Sequence, residues 1–218
     1  MKSLAVYGTG SIAEQIYQYN ERYHLYNICV FIDDNLSSNY KFHGIEVLNY
    51  ETFKRSYTTG NISVIVTIGY SKCNTIRESV CLKLMSDGYI LANFISPGSN
   101  CWPGAIVGLN IIIFDNVFVG NGSKISSGVI IYECVSIAHN VHVNKYSLLS
   151  LGVVAGGNSV IGEYTFVGLN STIKSSVVLG NYNIVASGTN VIKSSNNYSL
   201  IKGNPGKVKN IDTLLVKI

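Results

Sequence analysis

The stretch "VSIAHNVHVNKYSLLSLGVVAGGNSVIGEYTFV", Val135–Val167, carries an apolar residue at every sixth position: Ile137, Val143, Leu149, Ala155, Ile161 and Val167. The spacing continues unbroken in both directions, back through Ile131, Ile125, Val119 and Ile113 to Val107, and on through Ile173, Leu179 and Val185 to Val191. Glycine often follows the aliphatic residue (Gly108, Gly120, Gly156, Gly162, Gly168, Gly180), and small or β-branched residues such as Ser123, Val129, Ser159, Thr165 and Ser171 stand two positions before it. A helix repeats at about 3.6 residues and a strand at about 2, so neither alone gives a period of six. A parallel β-helix does: each hexapeptide makes one flat side and one turn, and three sides close a coil of eighteen residues. Each inward aliphatic contributes roughly 1.5–3 kcal/mol on burial before chain entropy is subtracted, so a column of them drives the architecture.

Residues 1–96 follow a different pattern. "SLAVYGTG", "NICVFIDDN" and "ISVIVTIG" read as strands, while "SIAEQIYQYNERY" and "NTIRESVCLKLMSDG" read as helices between and after them. This alternation predicts a small α/β domain with a parallel sheet, followed by the β-helix over residues 97–218. The chain of 218 residues is 47% hydrophobic, which excludes disorder. The N-terminus has neither the basic region nor the long apolar core of a secretory signal, and no apolar run is long enough for a membrane span, so a cytoplasmic protein is expected. Five cysteines without CxxC spacing predict reduced, mostly buried thiols rather than a disulfide framework or a zinc site. A net charge of +4 without any basic run argues against a nucleic-acid binder and suits small polyanions such as nucleotides and coenzymes.

In the six-residue register, His139 falls at a turn and His142 on a flat outer face, the latter suited to a surface or subunit contact. Counting by eighteen puts Asn121, His139, Gly157, Ser175 and Lys193 along one edge. A neutral imidazole there can accept a proton near neutral pH. Gly157 lets a reactant approach closely and offers a backbone N–H to an oxyanion. The alternative is that His139 is a solvated turn residue. In the first half, Gly8 and Gly10 of "VYGTGS" stand between a strand and a helix, where backbone N–H groups receive phosphate. The fingerprint lacks its third glycine. Asp33 and Asp34 are read either as ribose or base ligands or as a solvated turn.

The two halves together resemble the left-handed β-helix sugar-nucleotide N-acetyltransferases of the bacillosamine, perosamine and viosamine pathways, and the sialic acid O-acetyltransferases. The resemblance rests on the hexapeptides, on "YGTGS" and "FIDDN", on "AHN" (Ala138–Asn140), and on the closing "GNPGK", where Gly206 replaces an alanine. It implies a homotrimer with active sites between subunits, acetyl-CoA as co-substrate, no metal, and direct attack by the amine of a dTDP- or UDP-linked 4-amino-4,6-dideoxyhexose for surface polysaccharide synthesis. His139 is then the general base and Asn140 its partner, although relatives carry Asp or Glu there; Leu148 stands where some have a second histidine. Acetyl-CoA would be met by Gly156, Gly157, Leu169, Ser175, Ser187, Lys193, Lys202 and Pro205. The sugar nucleotide would be met by Gly8, Gly10, Ser11, Asp33, Asp34, Gly69 and Lys72. Sialic acid O-acetylation and a non-catalytic trimeric scaffold are the alternatives; a carbonic anhydrase-like zinc site, which needs three histidines, is set aside.

Overall fold

The computed structural model describes residues 2–36, 40–204, 207–212 and 215–216. The chain forms two compact units, one of Met1–Ser71 with Ile76–Phe94, the other of Lys72–Thr75 with Ile95–Ile218. The first contains β1 (Lys2–Tyr7), α1 (Ser11–Tyr23), β2 (Tyr26–Ile32), β3 (Lys41–Phe42), β4 (Ile45–Leu48), α2 (Tyr50–Ser56), β5 (Ser63–Val66), α3 (Thr75–Ser86, whose first residue packs with the second unit) and β6 (Ile90–Leu91). The sheet order is β3-β4-β2-β1-β5-β6. Every pairing is parallel except β3 with β4, a short antiparallel hairpin at the edge that corrects the expectation of a purely parallel sheet. α1 occupies the residues expected, burying Ile12, Ala13 and Ile16 and stopping at His24 in the left-handed conformation.

The second unit is a left-handed parallel β-helix. Its first side stacks Asn100–Cys101, Phe118–Val119, Ser136–Ile137, Val154–Ala155, Thr172–Ile173 and Asn190–Val191; its second stacks Lys124–Ile125, His142–Val143 and Val160–Ile161. The third runs from Phe94–Ile95 through Ile112–Ile113, Ile130–Ile131, Leu148–Leu149, Phe166–Val167 and Ile184–Val185 to Ser199–Lys202, which pairs antiparallel with Lys207–Asn210. Partners such as Ser136 and Val154 are eighteen residues apart, the expected coil. The second residue of each pair points inward into one continuous apolar core.

The regular register fails at both ends. Val107 is 57% exposed. In the first coil Ile106, not Val107, pairs with Ile125, so one side is a residue short and the inward place is taken by its neighbour. In the last coil Ile184 pairs with Leu200, a separation of sixteen, after the chain has passed Lys193.

Two of the serines that stand two positions before an inward aliphatic, Ser123 and Ser147, have a definite task. Ser123 Oγ donates to Ala138 O at 2.7 Å and accepts from Val141 N at 2.9 Å; Ser147 repeats the pattern with Gly162 O and Thr165 N. They satisfy buried corner backbone that would otherwise lose its partners. At Gly156 a Cβ would lie 2.6 Å from Ser175 N, so the next coil leaves no room for a side chain there.

A second six-residue rhythm, absent from the sequence expectation, marks the corners. Every sixth residue from Asn110 to Gly188 has positive φ: Asn110, Asn116, Gly122, Gly128, Cys134, Asn140, Tyr146, Gly152, Asn158, Tyr164, Asn170, Ser176, Tyr182 and Gly188. Asn and Gly accept this left-handed conformation readily; other residues incur about 1–2 kcal/mol. On one corner Tyr146, Tyr164, Tyr182 and Tyr198 stack with ring centroids 5.8, 4.6 and 4.9 Å apart and planes within 9°. Such contacts, each worth roughly 0.5–1.5 kcal/mol, offset the backbone cost.

None of the five cysteines is in a disulfide; Cys73 and Cys81 are buried, Cys29 and Cys101 half-buried, and Cys134 is exposed at its left-handed corner, so the expectation of mostly buried thiols holds for two of them. Among the described residues no helix is long and apolar enough to cross a membrane.

Candidate active site

His139 projects, exposed, from the corner between the first and second sides. Its backbone is fixed from three directions. Its carbonyl accepts from Asn158 N at 3.0 Å, the preceding carbonyl accepts from Ser123 Oγ, and Asn140 N donates to Asn121 O at 2.8 Å. The ring lies over the glycine of the next coil: a Cβ on Gly157 would come 2.5 Å from Nε2 and 2.7 Å from Cε1. Gly157 is buried, its carbonyl accepts from Ser176 N at 2.9 Å, and its φ is not in the left-handed range. Its glycine character therefore answers to the imidazole above it rather than to backbone geometry.

Ser175 and Lys193 follow one and two coils further along the same ridge, both exposed. At the ridge's far end a cleft of about 830 Å³ is lined by Lys193, Lys202 and Lys207 together with Ile192, Asn204 and Val208. Three ammonium groups beside an apolar wall suit a ligand with phosphates and a flat ring system. Leu169 and Ser187 stand elsewhere, on the corner at the opposite edge of the first side, so they do not share a surface with His139 within one chain. Pro205 lies outside the described residues. Asn140, expected to orient the imidazole, brings Nδ2 to 3.4 Å from His139 Nδ1. His142 is exposed on the flat second side, between Lys124 and Val160, as the register predicts.

In the first unit, Gly8 follows β1 with φ +111°, and a Cβ there would lie 2.8 Å from Thr67 Oγ1. Gly10 caps α1 with extended backbone and no side-chain cap, and a Cβ on it would meet nothing within 4 Å. Ser11, the first residue of α1, is exposed, and the N–H groups of a first helical turn have no partner within the helix and can receive phosphate. Asp34 lies exposed in a turn, in line with the second of the two readings, and Asp33 stands half-buried just before it; both also hold hydrogen bonds within the unit. Asp33 accepts from Thr9 Oγ1 at 2.7 Å and from Asn35 N at 3.0 Å; Asp34 accepts from Tyr7 Oη at 2.6 Å and from Tyr50 N at 2.7 Å. They are braces that hold the glycine loop and the start of α2. Burial, and then the Asp34 carboxylate, push the Tyr7 phenol well above its ordinary range, so it remains a donor. Gly69 is exposed after β5, whereas Lys72 begins a run of left-handed residues, Lys72, Cys73 and Asn74 (φ +46°, +53° and +63°), that packs with the β-helix unit. Asn74 is buried there and donates through Nδ2 to Tyr146 O. Lys72 thus belongs to a different unit from the glycine loop with which it was grouped.

Residues 3–84 match the PglD N-terminal domain. No curated protein matches the sequence. Among solved structures, the acetyltransferase domain of PglB from Neisseria gonorrhoeae has a TM-score of 0.86 at 22% identity, over 96% of this chain and 100% of that one, and a second structure of it holds acetyl coenzyme A. PerB from Caulobacter crescentus, in complex with CoA and GDP-perosamine, gives 0.83 at 19% identity over 96% of this chain and 98% of that one. WeeI from Acinetobacter baumannii gives 0.66 at 20% identity over 96% and 100%. At these identities the likeness is one of fold, and it extends through both units.

Sequence reasoning missed Tyr7, Thr9 and Thr67, which shape the glycine loop, and Asn158, which touches Asn140 from the coil above. Asn158 was within reach, being eighteen residues from Asn140. Among the described residues no group of three His, Cys, Asp or Glu side chains is placed to hold a metal ion.

Proposed function

We propose that the protein is an acetyl-CoA-dependent N-acetyltransferase that acylates the amino group of a nucleotide-linked 4-amino-4,6-dideoxyhexose, in the cytoplasm, for surface polysaccharide synthesis. The observation that carries this reading is the His139 ring seated over a side-chain-free Gly157 on an open ridge that leads to a lysine-lined cleft. The amine attacks the thioester carbonyl while His139 takes its proton, the Gly157 N–H donates to the oxyanion, and the coenzyme A thiolate leaves and is reprotonated. No acyl-enzyme forms. The PglD-type match of residues 3–84 supports assigning the nucleotide to the first unit, with its diphosphate on the Gly8–Gly10 loop and Ser11. Acetyl coenzyme A and CoA with GDP-perosamine, held by structures of the same fold, support the donor and the acceptor class.

A homotrimer is part of the proposal. Phe118, Leu151, Val154 and Leu169 are all more than 40% exposed along the first side and its edge, an apolar strip of the kind that subunits cover. In such an assembly Leu169 and Ser187 of one copy would be free to meet the His139 ridge of the next.

Incubation of the protein with acetyl-CoA and a panel of dTDP-, UDP- and GDP-linked amino sugars, with free thiol as readout, tests the function, and light scattering on the same sample should give about three times 23.7 kDa. Thiol release with sialic acid and none with any amino sugar would replace the acceptor, and no release at all would leave a scaffold. Replacing Lys193 and Lys202 together by alanine should raise the KM for acetyl-CoA roughly tenfold or more with kcat held within about twofold, since the cleft binds ground and transition states alike.

A further inference from the structure

Asn140 and Asn158 occupy successive left-handed positions on the His139 corner, with φ of +55° and +58°. The Asn140 amide lies along the ridge. Its Nδ2 is 3.4 Å from His139 Nδ1 and 3.3 Å from Asn158 Oδ1, and its Oδ1 is turned the other way, over Gly122, where a Cβ would sit directly upon it. An amide NH₂ donates and cannot accept. In this arrangement Nδ1 is therefore the acceptor, and the single proton of the neutral ring rests on Nε2, the nitrogen that faces Gly157. The ring then offers an N–H where a base must offer a lone pair. A carboxylate at position 140 would accept from Nδ1–H and enforce the opposite tautomer.

Turning Asn140 over would put Oδ1 against Nδ1 and free Nε2. It would also set Oδ1 against Asn158 Oδ1, two acceptors face to face, unless Asn158 turned as well. We propose that Asn158, acting through Asn140, is a positioning residue that sets the tautomer of His139, the reactive Nδ1–H form requiring both amides to turn together. The inference rests on His139 being the base, and the test separates the two.

¹⁵N-histidine-labelled full-length protein is examined by long-range ¹⁵N–¹H correlation at about pH 9, where unperturbed imidazole is neutral; the His139→Gln spectrum identifies the His139 signals among the four histidines. Asn140→Asp and Asn158→Asp both keep a residue that tolerates the left-handed backbone, so the corner folds. Wild type should carry the proton on Nε2, and Asn140→Asp should move it to Nδ1 and raise kcat. Asn158→Asp, an acceptor only, should pin Asn140 Nδ2 in place, hold the proton on Nε2 and lower kcat about tenfold, with the KM for acetyl-CoA within about twofold. A wild-type ring already protonated on Nδ1, or an Asn158→Asp protein with tautomer ratio and kcat both unchanged, overturns the proposal. Tautomers that respond as stated while kcat does not would leave the amide coupling standing and remove His139 as the base.

Discussion

A His139→Asn protein should release thiol from acetyl-CoA and amino sugar at less than about a hundredth of the wild-type rate, the usual contribution of a positioned general base. The side chain is exposed, and the corner backbone is held by hydrogen bonds that do not involve the ring, so the substitution leaves the coil intact. The loss should appear in kcat, with the KM for acetyl-CoA nearly unchanged. Steady-state kinetics decide it: a variant that keeps more than about a tenth of the rate excludes general-base action by this residue.

Gly157→Ala should be almost as damaging, for a different reason. The new methyl would lie 2.5 Å from His139 Nε2, closer than real Cβ contacts allow, so one of the two must move. The imidazole is the freer partner, being at the surface on a two-bond stem, and it swings away from the ridge. Because the backbone at Gly157 suits any residue, the fold loses little: the melting temperature should shift by less than about 3 °C. The rate should fall at least about tenfold, since a displacement of about 1 Å at a reacting group costs up to 10²-fold. Thermal unfolding and kinetics on the same sample test the pair of statements. A fully active Gly157→Ala enzyme would mean that the ring's place over the glycine has no part in the reaction.

The β-helix was legible because one physical demand, an inward side chain at each flat side, repeats at a fixed interval and tolerates only apolar residues. It ceased to be legible where that demand relaxes. In the first coil Ile106 and Val107 are both acceptable inward residues, and only the pairing of Ile106 with Ile125 tells which is used. The left-handed corners were hidden for the opposite reason: the demand is on the backbone, and stacking lets Tyr146, Tyr164 and Tyr182 meet it beside Asn and Gly. His139 and Gly157 were found together because both follow from the count of eighteen, and their contact bears that count out. The hydrogen bonds of Asp33 and Asp34 were not legible because the groups that engage them, Tyr7, Thr9 and Tyr50, reach them through sheet order and helix placement. A strand-end acidic pair looks the same in sequence whether it binds a ligand or braces a loop.

The stacking of coils also makes the ridge a ruler. Adjacent coils are spaced as paired strands are, at about 4.8 Å, so the three steps from His139 to Lys193 fix a span of about 14 Å between the base and the entrance of the lysine cleft. That span can change only in whole graduations. Removing one coil between the two would bring them closer by a single notch while leaving each corner's local geometry untouched, so the reach of the donor that fits is written in the number of coils rather than in any one residue.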